Sequence, residues 1–184
     1  DKAYALLNRF YEDLKINKYF GKKIKRFEKN AVIFEDDSRL ESDIVIFVPA
    51  GGKHEIFDNS GLPLTEAGFI KTDDYLMVEG LENIYAIGDS ASLDGPPFRG
   101  KQGHVAEMMA GIAAYNINAK ETGTDNYKGY KEHVHILCVM DNGKGAVYVK
   151  RDMNKETVIA LPIVGHMLKK FWGWYYKNSK LKRF

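Results

Sequence analysis

Residues 83–89 run Asn83-Ile84-Tyr85-Ala86-Ile87-Gly88-Asp89, and a Gly/Pro-rich segment and then a helical pattern follow them. Ile84 to Ile87 is an apolar run of strand length, and Gly88-Asp89 closes it as a turn. A glycine at that point lets the backbone come close to a ligand. An Asp at the C-terminal end of a strand can accept hydrogen bonds from a sugar-like hydroxyl, and the N–H groups after it can face a phosphate. The same seven residues suit equally a strand that ends in a purely structural Asp turn.

Upstream, Asp43 leads into Ile44 to Val48, an unbroken apolar run that stops at Pro49-Ala50-Gly51-Gly52. Such a run predicts a strand buried on both faces, as in a parallel sheet. Residues 53–82 are turn-rich, with Asn59-Ser60-Gly61 and Thr72-Asp73-Asp74. Ala31 to Phe34 reads as a short strand followed by a turn at Asp36-Asp37-Ser38, and residues 3–15 carry one apolar helical face. Downstream, Gln102 to Ala119 is a helix rich in Ala, Met and Ile. Val134 to Met140 and Ala146 to Val149 flank Asp141-Asn142-Gly143-Lys144-Gly145, a hairpin signal. Thr157 to Leu161 adds a strand, and Pro162 opens a last helix, where its missing N–H costs nothing. The fold class that follows is α/β.

A length of 184 residues suits one medium domain or two small ones. With 45% hydrophobic and 28% charged residues, the chain is too apolar to remain disordered. No run of about 18 apolar residues is present to span a bilayer. Cys138 is the only cysteine, which excludes an internal disulfide and a multi-cysteine zinc site. The first apolar-rich stretch is broken by Asn8, Arg9, Glu12 and Asp13, unlike a signal peptide. The chain lacks an initiator Met and starts in the register of a helix, so a fragment of a longer protein is expected.

Charge is uneven. The net charge is +2, but residues 165–184 hold six Lys or Arg and no acid, which leaves −4 for residues 1–164. A body of that sign is a poor match for nucleic-acid phosphates. On a helical wheel Val164, Met167, Leu168, Phe171, Trp172, Trp174 and Tyr175 fall in one arc, opposite His166, Lys169, Lys170, Gly173 and Lys177. The ordinary use of such an arc is packing on the protein's own core. Its aromatic content and an acid-free cationic face also fit a helix lying in the lipid interface. His133 and His135 alternate on a strand and share a face. With His104 they could move protons, while a metal site would need more ligands.

Taken together, these segments resemble the pyridine nucleotide-disulfide oxidoreductase superfamily, the flavoproteins with two dinucleotide-binding domains. Asn83 to Asp89 looks like its second flavin-binding fingerprint, whose Asp binds the ribityl chain. Asp43 to Gly52 resembles the strand and glycine turn that cross back to the FAD domain. Within the superfamily, Gly100-Lys101-Gln102-Gly103-His104 resembles an element of the sulfide:quinone oxidoreductases, and Cys138-Val139-Met140-Asp141-Asn142-Gly143 resembles the segment that carries their C-terminal redox cysteine. Residues 166–184 resemble their membrane-docking end.

The resemblance implies FAD as cofactor, sulfide and a membrane quinone as partners, and a peripheral (monotopic) position on the cell membrane. A homo-oligomer is also possible on this reading. It implies cofactor contacts from Gly88, Asp89, Lys101, Gln102 and Gly103. Cys138 and Lys101 would be catalytic: sulfide attacks a disulfide between Cys138 and a second cysteine, a persulfide forms, and electrons reach the flavin. Leu137, Phe171, Trp172, Trp174 and Tyr175 would meet quinone or membrane. The implied domains are the remainder of an NAD-like domain (1–48), the C-terminal part of the FAD domain (49–122), a redox-cysteine hairpin (123–161) and a docking helix (162–184). The chain departs from the pattern in having no Gly-x-Gly-x-x-Gly for the FAD pyrophosphate. It therefore looks like the C-terminal half of such an enzyme. A type II NADH:quinone oxidoreductase, which needs no cysteine, is the rival enzyme. A non-catalytic membrane-binding module is the rival of another kind.

Overall fold

The computed structural model describes residues 2–49, 54–95, 101–141 and 145–181. The chain divides into two compact units, residues 1–50 and 51–184.

The first unit holds helix α1 (Lys2–Asp13) and strands β1 (Ile24–Glu28), β2 (Ala31–Phe34) and β3 (Arg39–Glu41) in an antiparallel sheet of order β1-β2-β3. All four residues of β2 are buried, because the strand has a neighbour on each edge. The β2–β3 turn is fixed by Asp36, which accepts from the Ser38 N–H at 3.1 Å and pairs with Lys22. The Lys22 ammonium, with help from Ser38, holds the Asp36 carboxyl at about 2.

Ile44 to Val48 does not form the expected buried strand. The segment is extended, and Ile44, Ile46 and Val48 are 78%, 85% and 83% exposed. A strand exists only where a neighbour takes its N–H and C=O groups. Among the described residues no strand pairs with this one, so these three side chains stay in water, while Phe47 packs edge-on against Phe27 of β1 at 5.2 Å between ring centres. The glycines that were expected to end it, Gly51 and Gly52, lie outside the described residues.

The second unit is built on helix α2 (Gly103–Glu121). Val105, Met109, Ile112, Ala113, Asn116 and Ala119 are its buried residues, a single stripe at helical spacing. Beneath it lie the parallel pair β4 (Ile70–Lys71) and β5 (Ala91–Ser92) and a set of bridged turns. Leu76, Val78, Ala86 and Tyr130 complete the core. Asn116 is fully buried and sews two loops to the helix. Its Nδ2 donates to the carbonyls of Tyr75 (3.1 Å) and Lys128 (2.9 Å), and its Oδ1 accepts from the Lys128 N–H (2.8 Å).

Ile84 to Ile87 is extended, as expected, but it is no ladder strand. It bridges residues 76–78 through the Ala86 N–H to the Leu76 carbonyl (3.1 Å) and the Val78 N–H to the Ile84 carbonyl (2.8 Å). Its burial deepens along the run, from Ile84 half out to Ala86 inside. Strands β6 (Ile136–Asp141), β7 (Gly145–Arg151) and β8 (Glu156–Pro162) form an antiparallel meander. Its first turn, residues 142–144 of the expected hairpin, lies outside the described residues. Helix α3 (Val164–Lys180) packs on this meander.

Candidate functional site

The turn after Ile87 is one winding of 3-10 helix, Gly88–Ser90, held by the Ser90 hydroxyl donating to the Ile87 carbonyl at 2.9 Å. Gly88 sits at φ +64°, and a Cβ there would lie 3.1 Å from the Cβ of Ala106 on α2. Glycine is thus required twice, by a left-handed backbone and by the closeness of the helix. That close approach is to α2.

This turn and the start of α2 form one wall of a cavity. Gly88, Asp89, Lys101, Gln102, Val105 and Phe69 are among its lining residues. Lys101 reaches back over the turn: its Nζ donates to the Asp89 carbonyl and stands 3.8 Å above the Phe69 ring. Such a cation over a ring contributes about 0.5–1 kcal/mol when exposed. Gln102 is the residue before the helix, in extended conformation, and its Oε1 is buried without a hydrogen-bond partner. The first turn of α2 brings N–H groups that lack helical acceptors, and the positive end of the helix dipole, to the same wall. The enclosed space is about 50 Å³, against roughly 300 Å³ or more for a typical ligand pocket. The described residues therefore supply a wall and not a closed pocket.

The fit to a flavin can be judged from these groups. An unsatisfied amide oxygen, a lysine held over the turn, an Asp at the turn's exposed side and a helix N-terminus match the polar edge of an isoalloxazine and its ribityl hydroxyls. Gly103 is the first helical residue, so Gly88, Asp89, Lys101, Gln102 and Gly103 do lie together. The 184 residues hold no Gly-x-Gly-x-x-Gly for the pyrophosphate end.

Cys138 lies in the middle of β6, half-buried, opposite Val149. Strand alternation puts it on the face of Ile136, which packs on the core that includes Val105 and Met109, two of the cavity's lining residues. Leu137 falls on the other face, with Val139 and Asp141, the face on which α3 lies. The sequence had grouped Leu137 with the quinone site, and the pleat separates it from Cys138. His104 Nε2 lies 2.9 Å from the His135 carbonyl oxygen, and His135 Nδ1 lies 2.9 Å from that of His133. Each of these rings has a carbonyl partner. Among the described residues no group of three or more His, Cys, Asp or Glu is placed to hold a metal.

The seven residues of the predicted apolar arc on α3 all point out. Phe171, Trp172, Trp174 and Tyr175 are 58%, 54%, 56% and 44% exposed. The side that meets the protein is the polar one. Gly165 is buried against Ala146 and Leu161, and His166 Nδ1 lies 2.8 Å from Asp141 Oδ2. Tyr176 donates to Glu107 Oε1 at 2.6 Å. Sequence reasoning singled out neither Glu107 nor Asp141 for a role. Their partners are 69 and 25 residues away, and no local pattern marks such a pair.

The model of one family, pyridine nucleotide-disulphide oxidoreductase, matches residues 1–110. The chain belongs to that family. The fold of this pyridine nucleotide-disulphide oxidoreductase chain is similar to the solved structure of the sulfide:quinone oxidoreductase from the hyperthermophilic bacterium Aquifex aeolicus, with a TM-score of 0.78 at 14% identity. That likeness covers 95% of this chain and 44% of the other, so the chain spans less than half the length of the protein it matches. At that identity the likeness is one of fold. No helix among the described residues is long and apolar enough to cross a membrane.

Proposed function

We propose that this chain is the C-terminal part of a flavin-dependent sulfide:quinone oxidoreductase that docks on one membrane leaflet. The observation that supports this best is the arrangement of α3, which turns an aromatic face outward while its polar stripe meets the protein. An ordinary surface helix does the reverse. A wide apolar face with Trp and Tyr, flanked by Lys170 and Lys177 and carrying no acid, is built for the boundary between headgroups and acyl chains.

The domains divide as the resemblance implies: residues 1–48 belong to the NAD-like domain, 49–122 to the FAD domain, 123–161 to the cysteine hairpin and 162–184 to the docking helix. FAD, when bound, supplies a two-electron acceptor. Asp89 would accept hydrogen bonds from the ribityl hydroxyls, and the start of α2, with Lys101 and Gln102, would hold the ring's polar edge. Cys138 is held in a disulfide with a cysteine outside these 184 residues. Hydrosulfide attacks a sulfur of that disulfide, a new S–S bond forms as a persulfide, and the other sulfur leaves as a thiolate. Leu137 and the α3 aromatics line the approach of the quinone.

Two readings compete. A type II NADH:quinone oxidoreductase would carry the same flavin turn and helix without using Cys138. A membrane-binding module would use the Gly88-Asp89 turn only structurally. The holoprotein, purified with its flavin and mixed anaerobically with sulfide or with NADH, separates them. Bleaching of the flavin band by sulfide and slow or no bleaching by NADH supports the proposal. The opposite order favours the NADH reading, and a protein without flavin favours the module.

A further inference from the structure

Helix α3 is joined to its unit in two places of different character. At its N-terminal end Gly165 is a packed joint, since a Cβ there would stand 2.6 Å from the Cβ of Ala146 and 2.8 Å from that of Leu161. Along the rest of the helix the described contacts are polar. His166 pairs with Asp141, and Lys169 Nζ donates to the Val139 carbonyl at 3.0 Å. More than two turns later, Tyr176 and Lys180 share the carboxylate of Glu107 on α2. The spacing 166, 169, 176 and 180 is one stripe of a helix. At the far end the charged side chains of the pair are half in water, Lys180 at 55% and Glu107 at 42%. Pairs of that exposure are readily screened by salt. The connection to β8 is Ile163 at φ +55°, ψ −62°. That is a region a β-branched residue rarely adopts, so a turn about this one residue gives access to ordinary backbone angles.

We propose that α3 is an arm hinged at Ile163 and latched by a hydrogen bond to Asp141 and an ion pair to Glu107, and that its release uncovers the Leu137–Val139–Asp141 face of β6. The latch needs no lipid and holds whether the outward face meets a membrane or another protein. It would let one helix serve both as a cover over the strand that carries Cys138 and as a movable contact.

The chain carries its own probes. Both of its tryptophans lie on α3, and its single cysteine lies on β6. The 184 residues hold no second cysteine to bridge Cys138. In this chain a dansyl-type acceptor attached there, with far-ultraviolet dichroism showing that the labelled chain is folded, reads the arm's position by energy transfer from Trp172 and Trp174, without lipid. Raising the salt shrinks the Debye length from about 30 Å at 0.01 M to about 3 Å at 1 M, and transfer should fall by about twofold or more over that range. Glu107→Lys should lower transfer already at low salt, and adding Lys180→Glu should restore it, with the far-ultraviolet dichroism unchanged. Transfer that ignores salt overturns the proposal, as does a loss in Glu107→Lys that the charge swap does not repair. If Glu107→Lys fails to fold, the salt series on the wild-type chain decides alone.

Discussion

Gly88 and Asn116 fix the two positions on which the site depends most. At Gly88 the left-handed backbone and the 3.1 Å approach to Ala106 act together. Gly88→Ala should therefore cost about 1–3 kcal/mol in urea unfolding. A neutral result would mean that the turn relaxes away from α2. At Asn116 the change to Leu keeps the volume but removes three hydrogen bonds to backbone groups of Tyr75 and Lys128, two residues at the surface. At a net contribution of about 0.5–1.5 kcal/mol for each such bond, a loss of about 2–4 kcal/mol is expected from the same measurement. The two residues were not equally visible beforehand. A glycine followed by Asp after an apolar run announces a turn by itself. Asn116 stands in a helical pattern as one polar residue, and its partners at Tyr75 and Lys128 are known only once distant loops have folded over it.

Elements with a period of their own were legible. The helices at 103–121 and 164–180, the strand at 31–34 and the meander at 136–162 stand within a few residues of the expected bounds. What failed was Ile44 to Val48, because an apolar run reports only that a segment wants burial and says nothing of whether a sheet neighbour is at hand. The apolar arc of α3 was read correctly too, but its direction was not readable, since the residues it avoids lie on other elements. Two predictions belong to this helix. The Glu107 carboxyl is held below its usual range by hydrogen bonds from Lys180 and Tyr176, with His104 a further positive neighbour, and the Lys180 ammonium is raised by Glu107. A depressed carboxylate contributes its stabilisation above its unfolded value and loses it as pH falls through the folded one. A raised lysine loses its share as pH climbs through its own folded value. The far end of α3 should therefore lose amide protection, measured against the free-amide rate at each pH, at both extremes relative to neutrality, with Glu107→Gln flattening the acid side. Hydrogen exchange on α3 against pH checks this. The second prediction concerns lipid. Each cation near an anionic surface contributes about 1 kcal/mol, while burial of the aromatic face does not depend on salt. Co-sedimentation with anionic vesicles should weaken with salt, persist in part at high salt, and vanish on deletion of residues 164–184 or replacement of Phe171, Trp172 and Trp174 together. Equal sedimentation of the wild type and the deletion contradicts the membrane reading.

For the whole molecule, the account rests on two half-sites meeting. One wall of the proposed flavin site is supplied by Gly88, Asp89, Lys101 and Gln102, which line one cavity, while a Gly-x-Gly-x-x-Gly is absent from the 184 residues. The chain alone should accordingly bind FAD weakly or not at all by equilibrium dialysis, and stoichiometric yellow flavin in the purified chain would show the wall to be sufficient. The family and fold class were readable because order and spacing of several weak motifs add up where each alone does not. The proposed chemistry rests on Cys138 alone, whose half-buried place on a strand is also that of an ordinary structural cysteine. The central claim therefore turns on that sulfur. The direct measurement is anaerobic stopped-flow reduction of the flavin by sulfide in the holoprotein, with and without Cys138→Ser. A hydroxyl forms neither disulfide nor persulfide, so the account predicts that the variant keeps its FAD and loses sulfide-dependent bleaching. Normal bleaching by Cys138→Ser would contradict it.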